Sequence, residues 1–373
     1  MMDESEYDDI LDDWFIESLK TYRDLHVYQL EFPTRVIEWT SGKTICVASY
    51  NKSTKNEILE LSLPRKLFAE EKKGLCAERD FKVLHGGFSS GPVSVLKHVP
   101  GTRLIVTNDG LTSDLQVWNL GGGESDVIAK VASVQGGEGT PGGVKMAARL
   151  SPQPEVLHGC RGGDVRLTRL STGQTLYQLA SACEERLTRL HLLSDAVFLA
   201  ACANGDVLTV DTRTSSPPQL APAPDSDVWW TDASGSGLVR VSASGQAALS
   251  DPRNPAGVVS RARVAAGTPC RHPDDVTVSW APALDDAISL SGFSSTVQIY
   301  DTSSWGSEPR DANPLFEHRG HGVCSPPSSA EAEGGAVALT GHVWHPKESR
   351  TLVSAATDAS LHVWDWIDQS DGR

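Results

Sequence analysis

The sequence is poor in the features that mark most catalytic and membrane-bound classes. Its seven cysteines are scattered and none stands in a C-x-x-C pair, which argues against zinc ribbons and thioredoxin-like redox sites. An odd number of isolated thiols fits a reducing compartment better than a disulfide framework. No apolar run approaches the roughly 18 residues of a membrane-spanning helix. The first residues, MMDESEYDDILDDW, are acidic where a secretory leader is basic and then apolar. We therefore expect an intracellular, soluble protein without a membrane partner. Positive charge is also scarce: 33 basic residues stand against 48 acidic ones, a net charge of −15. Phosphate backbones need clustered Lys and Arg, so direct nucleic-acid binding is not expected. Protein partners of neutral or basic character are. Aromatic residues make up only 6% of the chain while hydrophobic residues reach 39%, so the core must rest on Val, Leu and Ala.

What the chain does have is a recurring grammar. Residues 339–366, LTGHVWHPKESRTLVSAATDASLHVWDW, read as three short strands separated by Pro346 and by the turn Thr357-Asp358-Ala359-Ser360. The pattern returns at 34–64, 93–120, 144–170, 187–213, 228–253 and 276–302. Each copy is a strand, a turn, an apolar strand, a small-residue turn and an alternating strand. Self-similarity at this period marks a repeat architecture. In the last copy, Asp358 stands six residues before Trp364 and Ser354 ten before it, and Trp364-Asp365 closes the strand. This spacing resembles the WD-repeat family, a β-propeller family with four-stranded blades. The resemblance implies a hydrogen-bonded set of His321, Ser354, Asp358 and Trp364, with His321 supplied by the PLFEHRGH segment at 314–321. The other copies depart from it: Thr112, Asn204 and Ser294 stand where the family favours Asp. Those blades should depend more on strand packing than on a polar set.

The expected fold class is all-β: one seven-bladed propeller over 25–373 with a short N-terminal helical extension over 1–24. Seven copies in 373 residues leave about 53 each, above the ~40–45 usual for this repeat. The surplus falls in inserts near 121–143 (Gly-rich), 214–227 (Pro-rich) and 322–337 (Ser, Pro and Gly-rich). These compositions predict flexible or extended spacers rather than sheet. Residues 8–23 predict an amphipathic helix, with Ile10, Leu11, Trp14, Phe15, Leu19 and Tyr22 at helical spacing. LHVYQLE at 25–31 alternates, and a natural role for it is to complete the last blade and close the ring, removing exposed sheet edges.

Reaction chemistry finds little support. Gly87-Phe88-Ser89-Ser90-Gly91 matches the G-x-S-x-G elbow, but Pro92 and a new strand follow where the elbow needs a helix. The pairs His318/His321 and His342/His345 lack further ligands at motif spacing. The Gly-rich segment lacks the G-K-[ST] of a P-loop. The carboxylate pairs Asp274/Asp275 and Asp285/Asp286 sit in turns with no flanking group to shift a pKa, so they read as solvated. No catalytic residue, metal ligand or cofactor is assigned. The segment at 64–89, PRKLFAEEKKGLCAERDFKVLHGGFS, reads as a loop followed by an outer strand. Its Arg65, Lys66, Lys72 and Lys73 are candidate partner contacts, because loops on a rigid scaffold carry recognition.

Several stretches outside the generic repeat residues resemble one group in particular, the WD-repeat-containing protein 73 family. They include DDWFIESLKTY at 12–22, TRVIEW at 34–39, KNEILELSLP at 55–64, ERDFKVLHGGFS at 78–89, LKHVPGTRL at 96–104 and TVQIYD at 296–301. The resemblance implies a non-enzymatic, monomeric, mainly cytoplasmic scaffold that assembles the RNA endonuclease subunits of the Integrator complex, proteins of metallo-β-lactamase type. It also implies, as an alternative, association with tubulin, microtubules and spindle poles in dividing cells. Trp14, Phe15 and Leu19 of the helix join the basic loop residues as candidate contacts.

Overall fold

The computed structural model describes residues 4–50, 55–64, 81–123, 125–136, 143–214, 216–235, 237–267, 269, 271–321 and 337–367. Among these residues, twenty-eight strands form seven four-stranded antiparallel sheets. Blade one is typical. Its strands Thr34–Trp39, Thr44–Ser49, Asn56–Ser62 and Lys82–Ser89 pair in sequence order as a meander. The first strands of successive blades touch one another in a closed ring, so each blade runs outward from a central axis. This is a seven-bladed β-propeller.

The burial patterns explain why such short strands are stable. Second strands lie deep between neighbouring sheets, and Leu238–Ser242, Ala287–Ser291 and Thr351–Ala356 are buried at every position. The apolar clusters lie between blades rather than within one. Cys46, Ala48 and Ile58 of blade one pack against Leu96, Ile105 and Trp118 of blade two. Val106 and Val117 of blade two meet Met146 and Val156 of blade three. Twisted sheets stacked about 10 Å apart leave a thin layer between them. Medium aliphatic side chains fill it, which accounts for a core with few rings.

The ring closes on the seventh blade. Its order is Tyr22–Gln29, Ser360–Trp366, Thr351–Ala356, Leu339–Trp344. Three strands come from the end of the chain and the outer one from its beginning, with Tyr22 opposite Trp366 and Gln29 opposite Ser360. The closing strand therefore starts at Tyr22 rather than at 25. The helix before it spans Glu4–Thr21, ending two residues earlier than its periodicity predicts. Tyr22 is responsible, because its side chain is buried in the seventh blade.

Two of the expected spacers prove to be sheet. The Gly-rich insert contains the outer strand of blade two, Ala129–Val134. The Pro-rich insert contains that of blade four, Gln219–Ala221. An outer strand is paired on one edge and hides few side chains; Ala129–Val134 buries only Val134 fully. Backbone pairing is then sufficient, and no alternating apolar pattern is imposed. In the Pro-rich insert the prolines flank a three-residue strand that is itself free of proline. Of the third insert, 322–336 lies outside the described residues. No helix among the described residues is long and apolar enough to cross a membrane.

Candidate functional site

The closing blade carries a chain of buried polar groups with a single sense. Trp364 Nε1–H donates to Ser354 Oγ at 3.1 Å, and Ser354 Oγ meets His321 Nε2 at 2.8 Å. His321 Nδ1 meets Ser360 Oγ at 2.7 Å, and Ser360 donates to Asp358 Oδ1 from its hydroxyl at 2.7 Å and its backbone N–H at 3.0 Å. Because the carboxylate accepts from Ser360, the Ser360 oxygen accepts from His321 Nδ1–H. Nε2 is then the lone pair that accepts from Ser354. The arrangement thus specifies a neutral imidazole with its proton on Nδ1. Burial pulls the His321 pKa well below its ordinary value. Hydrogen bonds join His321, Ser354 and Trp364 directly. Ser360, which spacing did not single out, links them to Asp358.

A second chain lies beside it. Tyr22 Oη meets His318 Nδ1 at 2.8 Å, and His318 Nε2 meets His362 Nδ1 at 3.1 Å. His318 stacks on Trp364 at 4.6 Å, and His321 stacks on His362 at 3.7 Å. A Cβ on Gly320 would come within 2.9 Å of His318 and 3.1 Å of His362, so the lack of a side chain there lets both rings keep their places. Burial pushes the His362 pKa down to about 4 and that of His318 well below the ordinary value. Ring nitrogens of His318, His321 and His362 lie within 4.8 Å of one another, the one grouping among the described residues that could hold a metal. The geometry fits hydrogen bonding better than coordination. The His321 and His362 rings are nearly parallel, 13° apart, so their in-plane lone pairs run side by side instead of converging. Both His321 nitrogens are already taken by serines.

Beside the strand packing expected to hold them, several of the remaining blades also carry buried polar pairs. Ser289 of blade six accepts from Trp344 Nε1 at 2.7 Å and meets His342 Nε2 at 2.6 Å, while His342 Nδ1 meets Ser291 at 2.7 Å. Trp344 and His342 belong to the inner strand of blade seven, so this set stitches two blades; burial brings His342 to about 3. In blade two Trp118 Nε1 donates to Thr107 at 2.8 Å, and in blade three His158 meets Thr168 at 2.9 Å. His345, next to Trp344, turns the other way and reaches the Gly42 carbonyl of blade one at 3.0 Å.

The carboxylates Asp274 and Asp275 are also not the solvated pair their turn implied. Asp274 receives Lys145 at 2.9 Å and Arg186 at 3.0 Å. Burial opposes its charge, but the two cations prevail and lower its pKa to about 2. Burial pushes Asp275 up, although Arg35 lies 3.5 Å away. With Lys97–Glu38 and Arg189–Asp232, these ion pairs knit together the strands that ring the axis. Glu60 is fully buried in blade one and held by Arg103 of blade two at 2.7 and 2.8 Å, with His85 at 2.7 Å and Thr40 at 2.9 Å. Burial opposes its ionisation, yet these hydrogen bonds keep its pKa lowered. Ser89 ends the outer strand of blade one and is buried. Its Oγ accepts from Gly91 N–H at 3.3 Å, and the chain passes to the strand Val95–His98 with no helix between.

The surface tells a different story at the N-terminal helix. Trp14 is half-buried and lines a groove with Ser18, Thr21, Tyr22, Leu315 and Phe316. It therefore faces the propeller body. Phe15, Ile16 and Leu19 are 57%, 55% and 67% exposed. Helical spacing identified Phe15 and Leu19 and missed Ile16, which breaks the periodicity. Arg65, Lys66, Lys72 and Lys73 lie outside the described residues.

No protein-family model matches the chain. It is similar to the Integrator complex assembly factor WDR73 of Danio rerio, with 41% identity over 373 residues, 97% of this chain and 98% of that one. The Homo sapiens protein of the same name is 39% identical over 374 residues, covering 96% of this chain and 98% of its own. That of Xenopus laevis is 37% identical over 363 residues, covering 95% and 97%.

Proposed function

The chain belongs to the family of the Integrator complex assembly factor WDR73, and from that premise we propose that it is a non-enzymatic scaffold for assembling Integrator. The observation that carries this reading is likeness at about two residues in five over 96–97% of the chain. A likeness confined to the repeat residues would support only a propeller, and propellers host many functions. The physical features agree with a binding role. The ring is rigid, its buried polar groups are largely consumed in holding blades together, and loops and termini on such a scaffold are free to recognise partners.

In the finer reading, the partners are the metallo-β-lactamase-type endonuclease subunits, and the chain holds them in the cytoplasm before nuclear entry. Purification of the tagged full chain from cytosolic extract tests this. Endonuclease subunits at near-stoichiometric amounts are the expected result. Tubulin and spindle proteins without those subunits would overturn it. No observation on the described residues favours the microtubule reading, whose basic contact residues Arg65, Lys66, Lys72 and Lys73 fall outside them.

A further inference from the structure

We propose that the exposed face of the N-terminal helix, formed by Phe15, Ile16 and Leu19, is a docking surface for a basic amphipathic helix of a partner protein. The proposal rests on the reading of the chain as a protein-assembly scaffold and adds where contact is made and what chemistry meets it.

Three large apolar side chains, each more than half exposed, cluster within five residues. They point away from the groove that holds Leu315 and Phe316, which is lined by Trp14, Glu17, Ser18 and Thr21 on the opposite side of the helix. Scattered exposed apolar residues are ordinary, whereas a contiguous group rimmed by charge marks an interaction site. The helix does not need these residues to stay attached. Trp14, half-buried, and Tyr22 face the propeller. The helix also runs without a linker into the closing strand, where Ile367 N–H donates to the Thr21 carbonyl at 2.8 Å. The apolar trio is thus held in place by residues other than itself. Preorganisation of this kind lowers the entropic cost of binding.

Charge selects the occupant. Residues 4–21, ESEYDDILDDWFIESLKT, carry seven acidic side chains and one basic. An apolar stripe on an acidic helix favours apolar side chains flanked by Lys and Arg, and an amphipathic helix supplies them at i, i+3, i+4 and i+7. The same field disfavours the other occupants. A second copy would bring a second acidic helix and its own charge of −15, and a cytoplasmic lipid leaflet is anionic.

The test uses the full chain and a synthetic 18-residue helical peptide with Leu at i, i+3, i+4 and i+7 and Lys or Arg elsewhere, titrated by fluorescence anisotropy. A second peptide keeps the Leu pattern but carries Glu. The wild-type chain should bind the basic peptide at least about ten-fold more tightly than does Phe15→Ser/Ile16→Ser/Leu19→Ser, the loss expected when central apolar anchors go. Binding should weaken as salt rises from about 50 to 300 mM, because the charges are solvent-exposed. The acidic peptide should not bind. The triple variant should melt with the wild type, whereas Trp14→Ala should melt lower. Equal binding by the triple variant, equal binding of the acidic peptide, or no binding of either overturns the proposal. So does dimerisation, or capture by phosphatidylserine vesicles, that depends on the three residues. The peptide measurement does not involve Integrator, so its failure is distinct from failure of the Integrator reading.

Discussion

The closing blade and the N-terminal helix meet at one peptide bond, between Thr21 and Tyr22, yet they spend their side chains in opposite ways. In the closing blade, Trp364, Ser354, His321 and His362 are all fully buried. Their polar atoms are nearly all hydrogen-bonded, with His362 Nε2 buried and unsatisfied. One residue before Tyr22 the chain leaves the sheet, and three large apolar side chains of the helix stand in solvent. Burial with paired polar atoms stabilises a fold, while exposed apolar surface is available to bind. The difference assigns stability to one region and recognition to the other, and each assignment can be broken separately.

Acidification should strike the buried region hardest. His158 and His362 have pKa values brought down to about 4 and His342 to about 3, and His318 and His321 lie well below the ordinary value. In each case burial is the leading cause. A histidine with a lowered folded pKa contributes stability that is present above about 6.5, the value in the unfolded chain. That contribution is lost as pH falls below about 6.5 toward the folded value, because the unfolded state then binds the proton and the folded state does not. Each residue contributes a slope of at most about 1.4 kcal/mol per pH unit. Urea midpoints should therefore fall steadily between pH 7 and pH 5; a flat profile would mean that these rings are not neutral and buried.

Trp364→Ala comes next. Loss of a fully buried indole that packs on His318 and Phe316 should cost about 3–5 kcal/mol, read as a urea midpoint shift at constant slope. Ser354→Ala removes little volume but leaves Trp364 Nε1–H and His321 Nε2 without the partner they share. About 1–3 kcal/mol is expected, and Ser354→Thr, which restores the hydroxyl, should recover part of it. A Ser354→Ala variant as stable as the wild type would show that the polar chain is ornamental to the blade.

How much of this was legible in the sequence follows from how far apart the partners are. Ser354, Asp358 and Trp364 lie within one hairpin, so spacing alone could place them together. Ser360 belongs to the same turn, and the signal that could have found it was its position two residues after Asp358, where a hydroxyl can accept and donate at once. Tyr22 and His318 are 296 positions apart, and Lys145 and Asp274 are 129 apart. No periodicity connects such pairs, and the Asp274/Asp275 turn looked solvated because its cations come from other blades. The outer strands Ala129–Val134 and Gln219–Ala221 were hidden for another reason. Pairing through the backbone on one edge leaves their side chains under no constraint to alternate. On the helix, periodicity separated apolar from polar residues but could not say which apolar side the propeller takes. It takes Trp14, leaving Phe15 and Leu19 exposed together with Ile16.

The most direct test of the division between stability and recognition combines two readings on Phe15→Ser/Ile16→Ser/Leu19→Ser in the tagged full chain. Its melting temperature and its capture of Integrator endonuclease subunits are measured beside the wild type in one preparation. Exposed substitutions usually change stability by less than about 0.5 kcal/mol, so the melting temperature should stay within a degree or so while capture falls at least about ten-fold. Unchanged capture, or a melting temperature several degrees lower, would contradict the account, because the helix face would then be either irrelevant to recognition or part of the fold it was said to leave alone.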